Sequence, residues 1–264
     1  MAIFRKIFIL GFILTSTACS VLPRSTQPAV ALPEADTNVQ LGLAYLEGGD
    51  VQRAKQKLLF AEQQTPTSAA VQGSLGYFYE TIGNFSTAER YYRRAVALNA
   101  QAGAAQNNYG AFLCRHGRYA EADQHFLLAL QDRAYLHTAQ VYENAGLCAM
   151  QIPDVDKAEN YFLQAVQQDP KRLVALLGLS RLSYQTEKYV QAQQYLDRYL
   201  QLTNNPTANA LYLGAILARK LGKEAEAGRF TLRLQAQFPG SQAYKELINS
   251  PSAQNKHRKQ QLYY

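Results

Sequence analysis

Within NNYGAFLCRHGRYAEADQHFLLAL, residues 107–130, a cysteine and two histidines fall close together: Cys114, His116 and His125. A thiolate and two imidazoles are the ligands zinc prefers, and a cysteine beside a histidine is the pairing that makes a thiol nucleophilic. The spacing speaks against both uses. The histidines are not separated by the four residues that put two side chains on one helical face. H-E-x-x-H, C-x-x-C and G-x-S-x-G are all absent from the chain. No motif calls for a cofactor, a metal, a catalytic group or a small-molecule substrate, and an enzyme is not expected.

The elements that must position these residues are helical. The chain has 264 residues, 47% of them hydrophobic and 18% charged, which is ample material for a core. Ala, Leu, Gln and Tyr dominate, β-branched residues are sparse beyond the first few turns and Trp is absent, so the expected fold class is all-α.

The first 18 residues stand apart. Arg5 and Lys6 precede the apolar run IFILGFILTST, and small residues then lead to Ala18-Cys19, the pattern of a bacterial secretory signal. The run is shorter than the roughly 20 residues that a bilayer-spanning helix needs. The string Ser16-Thr17-Ala18-Cys19 resembles the lipobox of bacterial lipoproteins, with Leu14 two positions early and Ser16 where an aliphatic residue usually stands. The resemblance implies that Cys19 carries lipid, and Ser20 in place of Asp implies sorting to the outer membrane, on its periplasmic face. The alternative is an ordinary cleaved signal with an incidental cysteine. Residues 19–35, with prolines at 23, 28 and 33, read as a tether, and 250–264 read as a loose, polar, basic tail.

Between them a repeat is legible. Gly42, Gly76 and Gly110 stand 34 residues apart. Each is followed at fixed offsets by a second glycine (Gly49, Gly83, Gly117), an alanine (Ala54, Ala88, Ala122), a bulky residue (Leu58, Tyr92, Phe126) and another alanine (Ala61, Ala95, Ala129). After a two-residue insertion the pattern continues through Gly146, Ala158, Phe162 and Ala165, then more loosely through Ser180, Ala192, Leu196 and Tyr199. Gly214, Gly222, Ala227 and Pro239 are its last remnants. This resembles the tetratricopeptide repeat, a helix-turn-helix unit of 34 residues. The expectation is a superhelical solenoid of about six repeats over 36–249, in which small residues let paired helices approach and bulky ones fill the neighbouring unit.

In that register Cys114 falls late on a first helix, His116 at a turn and His125 on a second helix. Cys114 and Cys148 occupy nearly equivalent places on first helices of consecutive repeats. A disulfide in an oxidising compartment is one reading and two buried free cysteines the other. The concave surface of such a solenoid is lined by its first helices, and the helical period assigns it Tyr77, Glu80, Asn107, Ala111, Glu143, Met150, Arg181 and Tyr184. Val39, Leu43, Leu46, Cys114, Leu147 and Leu177 accompany them. The lining lacks a Lys and Arg set for clamping a terminal carboxylate, so an extended apolar segment or amphipathic strand is the expected ligand.

Charge excludes one class of partner. Lys and Arg number 27 against 20 Asp and Glu, and they are spread over strings such as RYYRR and the tail KHRK without the basic-aromatic interleaving of nucleic-acid readers. Solvated helix faces account for them, with a contact between the tail and anionic headgroups as the alternative.

Longer strings narrow the family. NNYGAFLCRHGRYAEA, YENAGLCAMQ, LLGLSRLSYQTEKYVQAQQYLDRYL and FPGSQAYKEL are similar to the PilF/PilW family of type IV pilus biogenesis lipoproteins, over nearly the whole mature chain. The resemblance implies a pilotin, which helps the secretin ring reach or multimerise in the outer membrane. Its partners would be secretin subunits and, through Cys19, outer-membrane lipid. A periplasmic adaptor docking a peptidoglycan synthase or hydrolase is the competing role.

Overall fold

A computed structural model describes residues 34–152 and 154–249. The expected secretory signal, Cys19, nearly all of the expected tether and the expected tail lie outside these residues. The described chain forms thirteen helices: α1 (Glu34–Glu47), α2 (Val51–Gln64), α3 (Ala69–Thr81), α4 (Phe85–Leu98), α5 (Gly103–Arg115), α6 (Tyr119–Gln131), α7 (Thr138–Ala149), α8 (Val155–Gln168), α9 (Leu173–Gln185), α10 (Tyr189–Leu202), α11 (Ala208–Lys220), α12 (Glu224–Gln237) and α13 (Gln242–Asn249). The fold is an all-α tetratricopeptide-repeat solenoid in which α1 to α12 pair consecutively as six hairpins. The solenoid begins slightly before residue 36, because Ala35 is buried in the first core cluster and is carried there by α1.

Helix starts follow from capping. Asp50, Ser68, Asn84, Asp154 and Thr207 each accept a hydrogen bond from the backbone N–H three residues on, which satisfies a donor that the first turn leaves unpaired. The turn inside five of the six hairpins uses a left-handed residue. Gly49, Gly83, Gly117 and Gly222 supply it at φ of 71 to 79°. In the fifth repeat Glu187 holds the same place at φ 60°, a conformation that costs a non-glycine residue about 1–2 kcal/mol.

Close approach within each hairpin is set by the small residues. Ala54, Ala88, Ala122, Ala158 and Ala192 are fully buried. A methyl group at Gly42, Gly76, Gly110 or Gly146 would lie 2.6 to 2.9 Å from Leu58, Tyr92, Phe126 or Phe162, the bulky residue of the facing helix. Ser180 fills this slot in the fifth repeat and donates from Oγ to the Ala192 carbonyl at 2.8 Å. In the sixth repeat the slot belongs to Ala215, buried and twelve residues before Ala227, and not to Gly214 as the sequence suggested. Gly214 is one residue off register, though it too packs on a ring, that of Phe230.

The last repeat is closed by α13, whose Ala243 and Leu247 join Leu211, Ala215, Phe230 and Leu234 in a cluster of their own. The repeat period does not foretell this helix. Its apolar residues cover the face of α11 that a seventh repeat would otherwise bury.

Candidate partner groove

The residues that first suggested chemistry are drawn apart. Cys114 of α5 and Cys148 of α7 form a disulfide with their Cα atoms 5.7 Å apart. His116 caps α5 and packs its ring against Phe85 and Phe112 at centroid distances of 4.6 and 4.4 Å. His125 lies on α6 with Nδ1 2.5 Å from Gln106 Oε1 and its ring 4.6 Å from Tyr109. Burial holds its pKa below the ordinary histidine value, Glu121 opposing and Arg118 adding to the effect. Among the described residues no three His, Cys, Asp or Glu side chains are grouped to hold a metal ion.

The expected concave lining divides into two parts. In the second to fourth repeats it is largely consumed by contacts within the molecule. Glu80 accepts hydrogen bonds from Tyr92 Oη at 2.9 Å and from Arg115 Nε and Nη2 at 2.6 and 2.8 Å, joining α3, α4 and α5. Asn107 is 2% exposed and accepts from Asn144 Nδ2 at 3.0 Å. Glu143 is 5% exposed, pairs with Arg172 and accepts from the Ala175 backbone N–H at 3.0 Å. Ala111 is half-buried against the central core. The expectation that Asn107 and Glu143 face solvent or ligand is therefore corrected. A short polar side chain at that position reaches the next first helix before it reaches the open surface. Leu46 likewise belongs to the core and not to the lining. Tyr77 of the second repeat stands open, 47% exposed, and in the fourth repeat Leu147 does so at 42%.

The later repeats keep an open groove. A cavity of about 790 Å³ runs between α7, α9, α11 and α13, lined by Leu147, Met150, Leu177, Arg181 and Tyr184 as expected. It also takes in residues that were not expected, among them Leu173, Val174, Tyr212, Ile216 and Glu246. Tyr212 and Ile216 are the sixth-repeat counterparts of Leu177 and Arg181 once Ala215 is taken as the small slot; the expected lining ended at the fifth repeat and did not reach them. Glu246 comes with α13 and carries no repeat signal. Arg181 and Glu246 are the charges of this wall, and burial raises the pKa of Tyr184. An apolar floor with a few polar groups and opposite charges suits a peptide segment held by its side chains.

This architecture defines a tetratricopeptide-repeat scaffold. Residues 79–135 and 154–215 each match the tetratricopeptide repeat family. The type IV pilus assembly protein PilF of Pseudomonas aeruginosa is 34% identical over 211 residues, 80% of this chain and 83% of PilF. The solved structure of Pseudomonas aeruginosa PilF superposes with a TM-score of 0.73 at 33% identity, covering 81% of this chain and 96% of that one. PilW, a widely conserved type IV pilus biogenesis factor, superposes equally well, with a TM-score of 0.73 at 25% identity over 81% of this chain and 98% of PilW. The chain belongs to the PilF/PilW family of type IV pilus biogenesis proteins.

Proposed function

We propose that this protein is a pilotin, an outer-membrane lipoprotein anchored through Cys19 that binds the type IV pilus secretin from the periplasmic face and promotes its localisation or multimerisation. The observation that supports this reading is the open apolar groove between α7 and α13 in a member of the PilF/PilW family. A scaffold acts by binding, and this groove offers apolar surface, aromatic anchors and two opposite charges, Arg181 and Glu246, for a secretin segment. Tyrosine is among the residue types that dominate interfaces, where loss of one costs about 2 kcal/mol or more.

The test is a binding isotherm with purified secretin beside a thermal melt. Tyr184→Ala and Met150→Ala are expected to weaken binding at least tenfold while melting close to wild type. Tyr77→Ala, outside the groove, is expected to bind within about twofold. Wild-type affinity in both groove variants would remove the groove as the docking surface. Recovery of a peptidoglycan synthase or hydrolase in place of secretin from cross-linked cells would replace the partner. Membrane fractionation of Cys19→Ala tests the anchor separately, because the repeats lie downstream of it.

A further inference from the structure

We propose that the outward face of α2 and α4 is a docking surface for anionic phospholipid headgroups, which lays the first two repeats on the membrane and leaves the α7–α13 groove turned away from it. The proposal rests on the reading of the chain as membrane-tethered through the residues before Glu34.

The second helices of the hairpins form the outer side of the solenoid, and their charge is unevenly distributed. α2 carries Arg53, Lys55 and Lys57, and α4 carries Arg90, Arg93 and Arg94. The carboxylates on these two helices are Glu62 and Glu89, and both are already engaged. Glu62 receives Arg94 at 3.5 Å and Tyr91 Oη at 3.3 Å, and Glu89 receives Arg118, the residue that precedes α6, at 2.6 Å. Arg53 pairs with its own capping residue, Asp50, at 2.9 Å. Lys55, Lys57, Arg90 and Arg93 have no ion pair among the described residues. The next second helix reverses the pattern, since α6 has no Lys or Arg and carries Glu121 and Asp123. A merely solvated surface would mix the signs along the whole solenoid. Here unpaired positive charge is gathered on the outer side of the first two repeats.

The positions make a surface. Arg53, Lys57 and Phe60 follow at i, i+4 and i+7 along α2, and Ser86, Arg90, Arg93 and Ala97 form an exposed stripe along α4. Tyr91 and Arg94 reach across to Glu62, and Lys55, two helical turns before Glu62, is exposed on that same side of α2, next to the α4 cations, while Arg53, Lys57 and Phe60 line its other side. Phe60, 43% exposed, adds an aromatic ring at the edge of the α2 stripe. Cations above an exposed aromatic, on helices with small residues between, are the composition of a surface lying at a headgroup layer. Each such Lys or Arg is attracted to an anionic leaflet over about a Debye length. The chain before Glu34 indicates which repeats come near the membrane. The residues from Cys19 to Glu34 reach about 45 Å when extended at about 3.1 Å each, enough for α2 and α4 to lie flat, while the groove opens at the far end of the solenoid.

The test measures partition of the full chain, by sedimentation, onto phosphatidylcholine vesicles and onto vesicles in which phosphatidylglycerol replaces part of the phosphatidylcholine. Wild type is expected to favour the anionic vesicles by about tenfold or more, with the preference shrinking as salt rises. The triple variant Lys57→Glu, Arg90→Glu, Arg93→Glu is expected to lose most of that preference without a change in melting temperature. Arg229→Glu with Arg233→Glu, on α12, is expected to retain it. A triple variant that keeps the wild-type preference overturns the proposal, and so does an α12 control that loses as much, since net charge alone would then be the cause. Cys19→Ala partitioning like wild type onto phosphatidylcholine vesicles would count against the lipid anchor and leave the headgroup preference to be judged on its own.

Discussion

The concave sides of the early and late repeats use the same helical positions for different ends. Asn107, Glu143 and Leu177 occupy one row, one position per repeat, and so do Glu80, Cys114, Met150 and Tyr184. In the earlier repeats these side chains bond one first helix to the next, through Glu80 to Arg115, Asn107 to Asn144, Cys114 to Cys148 and Glu143 to Arg172. In the later repeats the row turns apolar and aromatic and nothing within the described chain covers it. The difference shows that a solenoid position does not by itself define a binding residue. A polar or thiol side chain there finds a neighbour along the solenoid, and only where the row is apolar does the surface stay available to a partner.

The largest expected effect is at the residue joining the two regions. The Phe162 ring is fully buried and clamped between two glycines, since a methyl group at Gly146 of α7 would lie 2.7 Å from it and one at Gly178 of α9 2.6 Å. Gly178 also lines the groove. Phe162→Ala is expected to cost about 3–5 kcal/mol, read from urea denaturation, and to weaken partner binding because α9 loses the support behind its groove face. A loss below about 1 kcal/mol would mean that the two regions fold without leaning on each other.

Next in size is the covalent link on the closed side. Cys114 and Cys148 are 34 residues apart in sequence, and chain entropy gives a cross-link over such a loop about 3–4 kcal/mol. Reduction is expected to lower the denaturation midpoint and leave partner binding nearly unchanged, because the bridge lies outside the groove. Intact mass should fall by two hydrogens relative to the reduced chain. Free thiols in protein purified under oxidising conditions would break this account and leave Cys148 as a buried core cysteine and Cys114 as a half-buried neighbour.

What was legible in the sequence follows the same division. Helix pairing, the alanine slots and the turn glycines could be read because each is imposed by a backbone or by close approach, which few residue types satisfy. Glu187 in a left-handed turn could not, since a non-glycine residue gives no sign in the sequence that its φ is positive. The open groove was half legible. Leu147, Met150, Leu177, Arg181 and Tyr184 followed from the period, whereas Tyr212 and Ile216 lie in the sixth repeat, where the pattern is too degraded for the lining to be projected. The burial of Asn107 and Glu143 depends on partners 37 and 29 residues away, Asn144 on α7 and Arg172 at the start of α9, and a helical wheel of one helix cannot show them.

The smallest expected effect concerns acid and the closed region alone. The groups facing His125 are Gln106 and Tyr109 of α5, with Glu121 on its own helix and Arg118 just before it. Because burial lowers its pKa in the folded state, the fold favours the neutral ring. Stability from this site is therefore fully present above the ordinary histidine pKa of about 6.5 and declines as pH falls below it toward the folded value, since the unfolded chain takes up the proton first. The gap between wild type and His125→Gln in urea midpoint is accordingly expected to narrow as pH falls below that value, while Tyr184→Ala tracks wild type over the same range. A gap that stays constant from neutral to mildly acid pH would show that His125 titrates alike in both states. Acid loosening of the third repeat would then have to be sought in Glu89, whose carboxyl the Arg118 guanidinium holds below the usual carboxylate range.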